Sequence, residues 1–394
     1  MVKKLNKLIF TKLRGRTAAV LFSGKRAVQM ELEPEAAQGQ TGNIYIGKVK
    51  NIVKNINAAF VEYQPGINGY YSLSDNRVHL FADRRVHETL KSGDEILVQV
   101  ERAAVKTKDA VLTSRLSFTG QYTVLTAGGG KLGISSKIHD TGWKNQVRTW
   151  WQERENRGFG LIVRTNALAA GIPGLQREAD FLAEKYSEIL KNAETRNCCS
   201  LLYRPDSFPV KIARDTYTSE LEEMITDDAD IWKELTEAGF SPRLYQDEQL
   251  SLAALYSLES VLDEALSRKV WLKSGGNLVI EPTEAMTVID VNTGKTSGKH
   301  SFSQTILSTN LEAAEEIARQ MRLRNLSGII LIDFIDMDTE EDRRHLIRKL
   351  RGCLAEDPVT AAFVDMTALG LVEVTRKKIR QPLHEQILSL NLKK

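Results

Sequence analysis

Two stretches of the chain share one pattern, a run of branched apolar residues that ends in acids. The first covers residues 286–292, Met-Thr-Val-Ile-Asp-Val-Asn, and the second covers residues 328–337, Gly-Ile-Ile-Leu-Ile-Asp-Phe-Ile-Asp-Met. Runs of about four to eight such residues are typical of buried strands. If the two strands are neighbours in one sheet, Asp290 and Asp333 come close together.

A carboxylate at the end of a buried strand is costly unless it is paired, hydrogen-bonded or bound to a metal. Two neighbouring carboxylates also resist joint ionisation, and a divalent cation removes that penalty. Mg²⁺ suits a site of one or two carboxylates, water molecules and phosphate oxygens. The pattern therefore predicts a Mg²⁺ site for phosphodiester chemistry at Asp290 and Asp333, with Asn292 beside the first. The alternative is that these acids cap turns or pair with Arg.

Apolar and polar residues alternate along residues 1–38, which predicts two or three strands that are too few for a domain of their own. Residues 39–118 hold five short strand-like runs separated by turn residues, the pattern of a small barrel of the OB type. Aromatic and basic side chains interleave there, as on surfaces that stack bases and follow a phosphate backbone. Nucleic-acid binding is the favoured interpretation. The alternative is that half of these aromatics fill the barrel core, and the direction of Phe60 is ambiguous.

Residues 158–165 form a further apolar run that ends in Arg164 and Thr165. A guanidinium beside a hydroxyl can bind a phosphate, although the pair taken alone is better explained as a surface Arg at a strand end. Residues 207–268 are predicted to hold a strand at residues 210–213 and then helices with Leu at helical spacing. This part is the natural partner of the N-terminal strands, which makes the chain between them an insertion.

Strands and helices alternate in residues 269–394, which predicts a largely parallel sheet. A helix is predicted to begin at Ser308 or Thr309, because Glu312 follows at the spacing of a capping box. The basic residues within 319–324 suit the C-terminal end of its dipole and could also meet RNA. The acid-ended strands flank this helix, so their acids fall at the carboxyl ends of strands, where α/β sheets keep their sites.

Composition changes this picture mainly by exclusion. The chain has 394 residues, enough for about two to four domains, and its 54 basic and 51 acidic residues nearly cancel to a net charge of +3. The Cys and His residues form no Cys-x-x-Cys, His-x-His or His-Glu-x-x-His pattern, which argues against a zinc knuckle, a disulfide framework and a histidine-based hydrolase. No apolar stretch reaches the roughly 18 residues of a membrane helix, and no signal-peptide pattern follows the basic N-terminus. A cytoplasmic protein without a membrane span is therefore expected.

Three segments together carry a family resemblance. They are Thr-Glu-Ala-Met-Thr-Val-Ile-Asp-Val-Asn at residues 283–292, Thr-Asn-Leu-Glu-Ala-Ala-Glu-Glu-Ile-Ala-Arg-Gln at residues 309–320, and the run at residues 328–337 described above. Over almost its whole length the chain resembles the catalytic half of the ribonuclease E/G family, bacterial endoribonucleases of RNA processing and decay.

The resemblance implies an α/β multidomain fold. A split RNase H-like domain would be interrupted by an S1-type OB barrel that binds RNA and by a 5′-sensor domain, and a DNase I-like α/β catalytic domain would follow. The implied boundaries are residues 1–38 and 207–268 for the RNase H-like parts, 39–118 for the OB domain, 119–206 for the sensor and 269–394 for the catalytic domain.

The resemblance also assigns site residues by their position in the family's motifs. The metal-binding aspartates fall on Asp290 and Asp333, and the supporting catalytic amide falls on Asn292. The RNA-binding residues of the OB domain fall on Phe60, Tyr70 and Lys108, with Tyr70 replacing a more usual Phe. The 5′-phosphate sensor falls on Arg164, Thr165 and Lys137, and the family often has Arg at the last of these.

The implied activity is Mg²⁺-dependent cleavage of single-stranded RNA in rRNA or tRNA processing or mRNA decay. It would favour 5′-monophosphorylated substrates and leave 5′-phosphate and 3′-hydroxyl ends. One Mg²⁺ ion is expected, because only two carboxylates stand out, and Asp336 is the candidate third.

The Cys-Pro-x-Cys zinc link of the family is not expected, because the sequence contains no such pattern. The assembly stays open between a homodimer and a higher homo-oligomer, either of which would form without that link. Two alternative functions stay open as well, a non-catalytic RNA-binding protein of the same fold and a DNA nuclease.

Overall fold

The computed structural model describes residues 6–34, 41–85, 89–104, 108–154, 158–216, 221–294 and 302–391. The chain divides into two compact units. Unit 1 consists of Met1–Glu33 with Glu220–Lys394, and unit 2 consists of Pro34–Ser219. The second unit is thus inserted into the sequence of the first.

Strands and helices alternate irregularly along the described chain. The strands are β1 (Asn6–Leu13), β2 (Arg16–Ser23), β3 (Arg26–Leu32), β4 (Ile44–Val53), β5 (Ala58–Gln64), β6 (Ile67–Ser72), β7 (Glu95–Arg102), β8 (Ala110–Thr113), β9 (Ser117–Thr119), β10 (Thr123–Ala127), β11 (Leu132–Ile134), β12 (Phe159–Val163), β13 (Leu201–Tyr203), β14 (Leu221–Thr226), β15 (Arg243–Leu244), β16 (Lys269–Trp271), β17 (Asn277–Pro282), β18 (Met286–Asn292), β19 (Gly328–Asp333), β20 (Ala361–Met366) and β21 (Val372–Arg376). The helices are α1 (Thr141–Glu153), α2 (Ala167–Ala193), α3 (Phe208–Thr216), α4 (Ala229–Glu237), α5 (Leu252–Leu255), α6 (Leu258–Leu266), α7 (Phe302–Leu323), α8 (Glu340–Ala355) and α9 (Leu383–Asn391), and a short 3₁₀ turn covers Lys54–Ile56.

The first sheet of unit 1 joins the start of the chain to a segment more than 200 residues later. Its strand order is β15-β14-β1-β2-β3, and β1 pairs in parallel with β14 from Asn6 opposite Leu221 to Phe10 opposite Thr226. Its apolar side chains share one core with those of α5, α6 and α9, including the fully buried Leu262. The N-terminal strands therefore pair with a later part of the chain, as their alternation predicted.

The second sheet of unit 1 has the order β16-β17-β18-β19-β21-β20. Its buried face packs against α7 and α8, so that Ile289 and Ile332 share a core with Ile317 and Leu350. Strands β18 and β19 run parallel, and α7 lies between them in sequence. The two strands are buried on this face only, because Val288 and Ile329 on the other face are 37 % and 48 % exposed.

Helix α7 begins at Phe302, so the predicted start at Ser308 or Thr309 is wrong. The Thr309 hydroxyl donates to the Thr305 carbonyl one turn back, at 2.9 Å, as Thr does in helix interiors. The Glu312 carboxylate accepts from the backbone of Lys273 and Ser274 and does not close a capping box.

Two arginines at the end of α7 lie in the interior of unit 1. Arg319 is 7 % exposed and forms an ion pair with the buried Glu316, and Arg324 is 5 % exposed and donates to the carbonyls of Glu264 and Ser267. These two side chains are therefore unsuited to the RNA contact considered for the basic residues of this segment.

Unit 2 contains a closed five-stranded barrel. Strands β4, β5, β6, β8 and β7 follow one another around it, and β4 pairs with β7 to close the sheet, while β13 adds to β4. A Cβ atom on Gly47 would lie 2.5 Å from Val61 Cγ1, and one on Gly69 would lie 2.6 Å from Leu112, so the close packing inside the barrel requires glycine at both positions. The predicted mixed α/β fold with an OB-like barrel is confirmed.

The rest of unit 2 is a four-stranded sheet, β11-β12-β10-β9, packed against α1 and α2. The predicted strand at residues 210–213 is wrong, because these residues lie in α3. The buried residues of α3 recur with helical spacing, at Pro209, Ile212, Ala213 and Thr216, and Pro is well tolerated in a first helical turn. Among the described residues, no helix is both long and apolar enough to span a bilayer.

Candidate active site and RNA-binding surface

Asp290 and Asp333 occupy paired positions at the carboxyl ends of two neighbouring parallel strands. The ladder of β18 and β19 runs from Met286 opposite Ile329 to Asp290 opposite Asp333. Paired residues project to the same side of a sheet, and Ile289 and Ile332, one residue earlier on each strand, point to the core. The two carboxylates therefore share the face of the sheet that α7 and α8 leave open.

Asn292 supports the first of these carboxylates directly. Its Nδ2 donates a hydrogen bond of 2.6 Å to Asp290 Oδ2. The two residues are separated by one position on β18, so they lie on the same face by the alternation of a strand. The amide thus fixes one oxygen of Asp290 and leaves the carboxylate free to accept at the other.

The pKa of the second carboxylate, Asp333, is raised above its ordinary value. Partial desolvation at the strand end raises the pKa of Asp333, although the residue is exposed to solvent, and the negative charges of Asp290 and then Asp336 raise it further. The three acids thus concentrate negative charge at one edge of the sheet. A cation at this edge would favour the ionised form of Asp333.

The donor set fits Mg²⁺ better than a metal that needs a complete protein cage. Among the residues that the structure describes, no group of three or more His, Cys, Asp or Glu side chains is arranged to hold a metal ion. Mg²⁺ is commonly bound through one or two carboxylates and keeps several waters or phosphate oxygens. A cavity of about 370 Å³ in the same unit, lined by Arg268, Arg324 and His384 among others, contains neither Asp290 nor Asp333. The carboxylates instead sit on an open face that an extended polymer can reach.

The barrel presents two aromatic side chains side by side on its outer surface. Phe60 on β5 pairs with Tyr70 on β6, and their ring centroids lie 6.3 Å apart at an interplanar angle of 78°. Both are half-buried, while their neighbours Ala59 and Tyr71 fill the barrel core. The sequence left the direction of the Phe60 side chain open, and the structure shows that it points away from the barrel core.

Lys108 lies at an exposed position two residues before β8. Strand β8 pairs in parallel with β6, with Val111 opposite Tyr70. The basic residue predicted for this surface therefore leads into the strand that neighbours Tyr70.

The predicted sensor residues lie around the end of β12. Arg164 Nη1 donates to the Gly120 carbonyl at 2.7 Å, and Nη2 donates to Asp215 Oδ1 at 2.9 Å. The Thr165 hydroxyl is exposed and lies 3.0 Å from the hydroxyl of Ser135.

Ser135 connects the third predicted sensor residue to the other two. The Ser135 hydroxyl also accepts from the backbone N–H of Lys137, at 3.4 Å. One serine thus lies between Thr165 and Lys137, so the structure brings Arg164, Thr165 and Lys137 into one neighbourhood.

Comparison with known proteins gave a family match and several relatives. Residues 117–379 match the model of the ribonuclease E/G family. The chain belongs to the ribonuclease E/G family. Among its relatives are ribonuclease G of Escherichia coli K12, 32 % identical over 93 % of this chain and 78 % of the relative, and ribonuclease G of Haemophilus influenzae, 32 % identical over 90 % and 76 %. Ribonuclease E of Synechocystis is 35 % identical over 90 % of this chain and 55 % of its own length, so this chain spans about half of that relative.

Family membership confirms the resemblance drawn from the sequence, and with it the predicted enzyme class, an endoribonuclease. The roles of the individual residues remain predictions, which the geometry above makes specific. Three further residues contact the segments that carry the candidate site residues, and none of them was singled out from the sequence.

Asn310 fixes the segment that follows Asp333. It is fully buried on α7, its Nδ2 donates to the Ile335 carbonyl at 2.8 Å, and its Oδ1 accepts from the Ile335 N–H at 3.1 Å. An amide that satisfies both groups of one residue holds that backbone in place, and Asp336 follows directly. The available signal was an Asn next to Leu311, on the helix whose apolar positions were predicted to be buried.

Glu178 and Asp215 form hydrogen bonds with Arg164 or with the backbone next to its partner Gly120. The Glu178 carboxylate accepts from the backbone N–H groups of Gln121, Tyr122 and Thr123, at 2.6 to 2.8 Å. A Cβ atom on Gly120 would lie 2.4 Å from Glu178 Cδ, so this contact requires glycine there. Since the Gly120 carbonyl and Asp215 both accept from Arg164, the two acids together orient the guanidinium. Nothing in the sequence marked either acid.

Proposed function

We propose that this chain is a Mg²⁺-dependent endoribonuclease that cuts single-stranded RNA in the cytoplasm, in rRNA or tRNA processing or in mRNA decay. The observation that carries the proposal is the direct pairing of Asp290 with Asp333, with Asn292 bound to Asp290, in a member of this family. Two carboxylates side by side at the carboxyl ends of neighbouring strands provide what a Mg²⁺ ion needs from the protein when a phosphate completes its shell.

The residues of the site divide the chemical work. Asp290 and Asp333 would hold the ion, and Asn292 would keep the first carboxylate in one orientation. A bound Mg²⁺ supplies neutralisation of charge on the scissile phosphate and acidification of water. In-line attack by water on the scissile phosphorus would form a new P–O bond and break the bond from phosphorus to the 3′ oxygen, which takes up a proton. The products would be a 5′-phosphate and a 3′-hydroxyl, the ends expected from the resemblance.

The barrel would hold the RNA strand. Bases stack on aromatic rings in a sequence-tolerant way, and the edge-to-face pair of Phe60 and Tyr70 offers two such rings on the outer surface. Lys108 would contact the backbone phosphate nearby. Since only unstacked bases can lie on these rings, single-stranded RNA is the proposed substrate.

Arg164, Thr165 and Lys137 would favour a 5′-monophosphate. The guanidinium is fixed by Gly120 and Asp215 and needs no reorientation when a ligand arrives. A phosphate can accept from a guanidinium, a hydroxyl and an ammonium group together. We also propose the domain assignment that the resemblance implies, with the RNase H-like parts at residues 1–38 and 207–268, the S1-type barrel at 39–118, the 5′-sensor at 119–206 and the DNase I-like domain at 269–394.

The test uses Asp290→Asn and Asp333→Asn, with Asp338→Asn as the matched control because Asp338 is an exposed acid just beyond β19. Both site variants should lose Mg²⁺-dependent cleavage of a labelled single-stranded RNA and keep their affinity for it in a chelator, while Asp338→Asn should cut normally. Asn292→Ala should lose about 10- to 100-fold in rate, the usual cost of removing the partner of a metal ligand. Cleavage that persists in both site variants would refute the assignment.

The same assay separates the alternatives. A non-catalytic RNA-binding protein would bind the oligomer and leave it intact with or without Mg²⁺. A DNA nuclease would cut a DNA oligomer of matched sequence at least as fast as the RNA.

A further inference from the structure

A basic and aromatic stripe runs along β16, the edge strand of the sheet that carries Asp290 and Asp333. Exposed and buried positions alternate strictly over residues 269–273, and Val270 and Leu272 are 5 % and 6 % exposed. The exposed positions between and beside them are Lys269, Trp271 and Lys273. Lys269 and Trp271 therefore lie on the face of β16 opposite the core, and Lys273 follows in the turn after the strand, where its backbone N–H donates to Glu312.

Trp271 is unusually accessible for its type. Its exposure is 66 %, and the Lys269 ammonium lies 4.1 Å from the centroid of the indole ring. A cation over the ring orients the indole without removing it from solvent. Lysines on an edge strand are also a common protection against aggregation. Protection against aggregation explains the lysines but not the exposed Trp271 between them. A large apolar side chain on an edge strand promotes association with other chains.

The register of the sheet places this stripe on the face of the carboxylates. One ladder row joins Lys269, Val279, Asp290 and Asp333, and the next joins Trp271, Asn277 and Asn292. The row between them, Val270, Leu278 and Val291, belongs to the core on the other face. With neighbouring strands about 4.8 Å apart, Trp271 lies about 10 Å from Asn292 along the sheet.

The charges of the stripe favour a polyanion. Neither Lys269 nor Lys273 forms an ion pair with any side chain that the structure describes. Sites for single-stranded nucleic acid combine cations that follow the backbone with aromatic rings that stack bases. A second copy of this chain would instead have to bring acids to meet two unpaired ammonium groups.

We propose that Lys269, Trp271 and Lys273 form a nucleotide subsite beside the candidate active site. One base of the RNA strand stacks on the Trp271 indole, and the adjoining phosphates contact the two lysines. The inference rests on the proposed function and extends it, because a base held about two strands from Asn292 fixes which phosphate of the strand reaches Asp290 and Asp333.

The experiment measures binding of a short single-stranded RNA to the full chain in a chelator, where cleavage is suppressed. Trp271→Ala should raise the Kd by about 5- to 150-fold, the range that corresponds to one base–aromatic stack. Trp271→Phe keeps an aromatic face and should retain most of the affinity. Trp232→Phe is the control, since Trp232 is a second exposed indole of unit 1, on α4. RNA should quench the fluorescence of the wild type and of Trp232→Phe, and the quenching should disappear in Trp271→Phe.

The lysines have a separate readout. The double variant Lys269→Gln with Lys273→Gln should lower the dependence of log Kd on log salt by about 1.4, because each phosphate contact to a single strand contributes about 0.7. Unchanged affinity in Trp271→Ala and an unchanged salt slope would overturn the subsite. Conversion of an oligomer to a monomer by Trp271→Ala, with RNA affinity intact, would assign the stripe to a second copy and overturn it as well.

The two proposals fail in distinguishable ways. If Asp290→Asn abolishes cleavage while Trp271→Ala binds RNA normally, the function stands and the subsite is refuted. If the wild type cuts no RNA but Trp271→Ala loses affinity, the subsite stands and the proposed chemistry is refuted.

Discussion

Replacing Glu178 by Gln tests whether the Glu178 carboxylate stabilises the loop at residues 120–123, whose Gly120 carbonyl accepts from Arg164. Glu178 Oε1 accepts from the Gln121 N–H, and Oε2 accepts from the N–H groups of Tyr122 and Thr123 and from the Thr123 hydroxyl. Gln has nearly the same shape and keeps one carbonyl oxygen, which can occupy the position with three hydrogen bonds. Its NH₂ group then faces the Gln121 N–H, donor against donor.

The structure sets the size of this effect. At least one hydrogen bond to a charged acceptor is lost, and such bonds contribute about 1.5–3 kcal/mol each. For a unit of this size, 1 kcal/mol shifts the melting temperature by about 2–4 °C. Glu178→Gln should therefore lower the melting temperature of unit 2 by roughly 3–12 °C.

Differential scanning calorimetry of the full chain measures this shift. Glu188→Gln is the matched control, because Glu188 is exposed on the same helix and the substitution removes the same charge. The sensor proposal adds a second readout. Since the loop carries the Gly120 carbonyl that accepts from Arg164, Glu178→Gln should also narrow the ratio of cleavage rates between 5′-monophosphate and 5′-hydroxyl RNA. A melting temperature equal to that of Glu188→Gln would refute the reasoning about the loop.

Two further predictions concern the two units separately. Arg376→Met should destabilise unit 1 by about 3–5 kcal/mol, because it removes the guanidinium that neutralises the buried Asp357 carboxylate. Adding Asp357→Leu should recover most of the free energy of unfolding that the single variant loses, as measured by urea unfolding. A double variant that loses as much as Arg376→Met would contradict this. In unit 2, burial lowers the pKa of His79 against the opposing charge of Asp94, so its contribution to stability is full above about pH 6.5 and is lost as the pH falls through the lower folded value. Melting temperatures from pH 8 to pH 5 should fall less steeply for His79→Phe than for the wild type or for a variant of the exposed His139, and parallel curves would exclude this role.

The strands that carry Asp290 and Asp333 could be predicted from the sequence because their pattern is local. Apolar runs that end in acids specify a buried strand with a polar end, and a helix between two such runs implies that they are parallel. The alignment of Asp290 with Asp333 could not be predicted in this way. It depends on the register of β18 and β19, which is set by the packing of their buried faces and not by the local pattern. The family resemblance supplied the expected roles, and the structure supplied the alignment.

The residues that were missed act across long separations in the chain. Glu178 reaches Gln121 over 57 positions, Arg164 reaches Asp215 over 51, and Asn310 reaches Ile335 over 25. The sequence pattern of an amphipathic helix does not show whether a polar side chain faces water or forms hydrogen bonds with a distant loop. The wrong strand at residues 210–213 has a related cause, since four residues cannot distinguish the period of a strand from that of a helix.

The parallel pairing of β1 with β14 has a consequence for how the chain folds during synthesis. The first three strands are complete by Leu32, but the neighbour of β1 begins at Leu221. At about 5–20 residues per second, the ribosome needs roughly 10–40 s to deliver it. Through that interval the backbone of β1 has an open hydrogen-bonding edge. The last strand of the inserted unit, β13, ends at Tyr203, so this unit has all its own strands before the synthesis of β14 begins at Leu221. The insertion thus sets an order of synthesis, in which unit 2, with the barrel proposed to bind RNA, is complete before the sheet of β1, β2 and β3 receives its remaining strands.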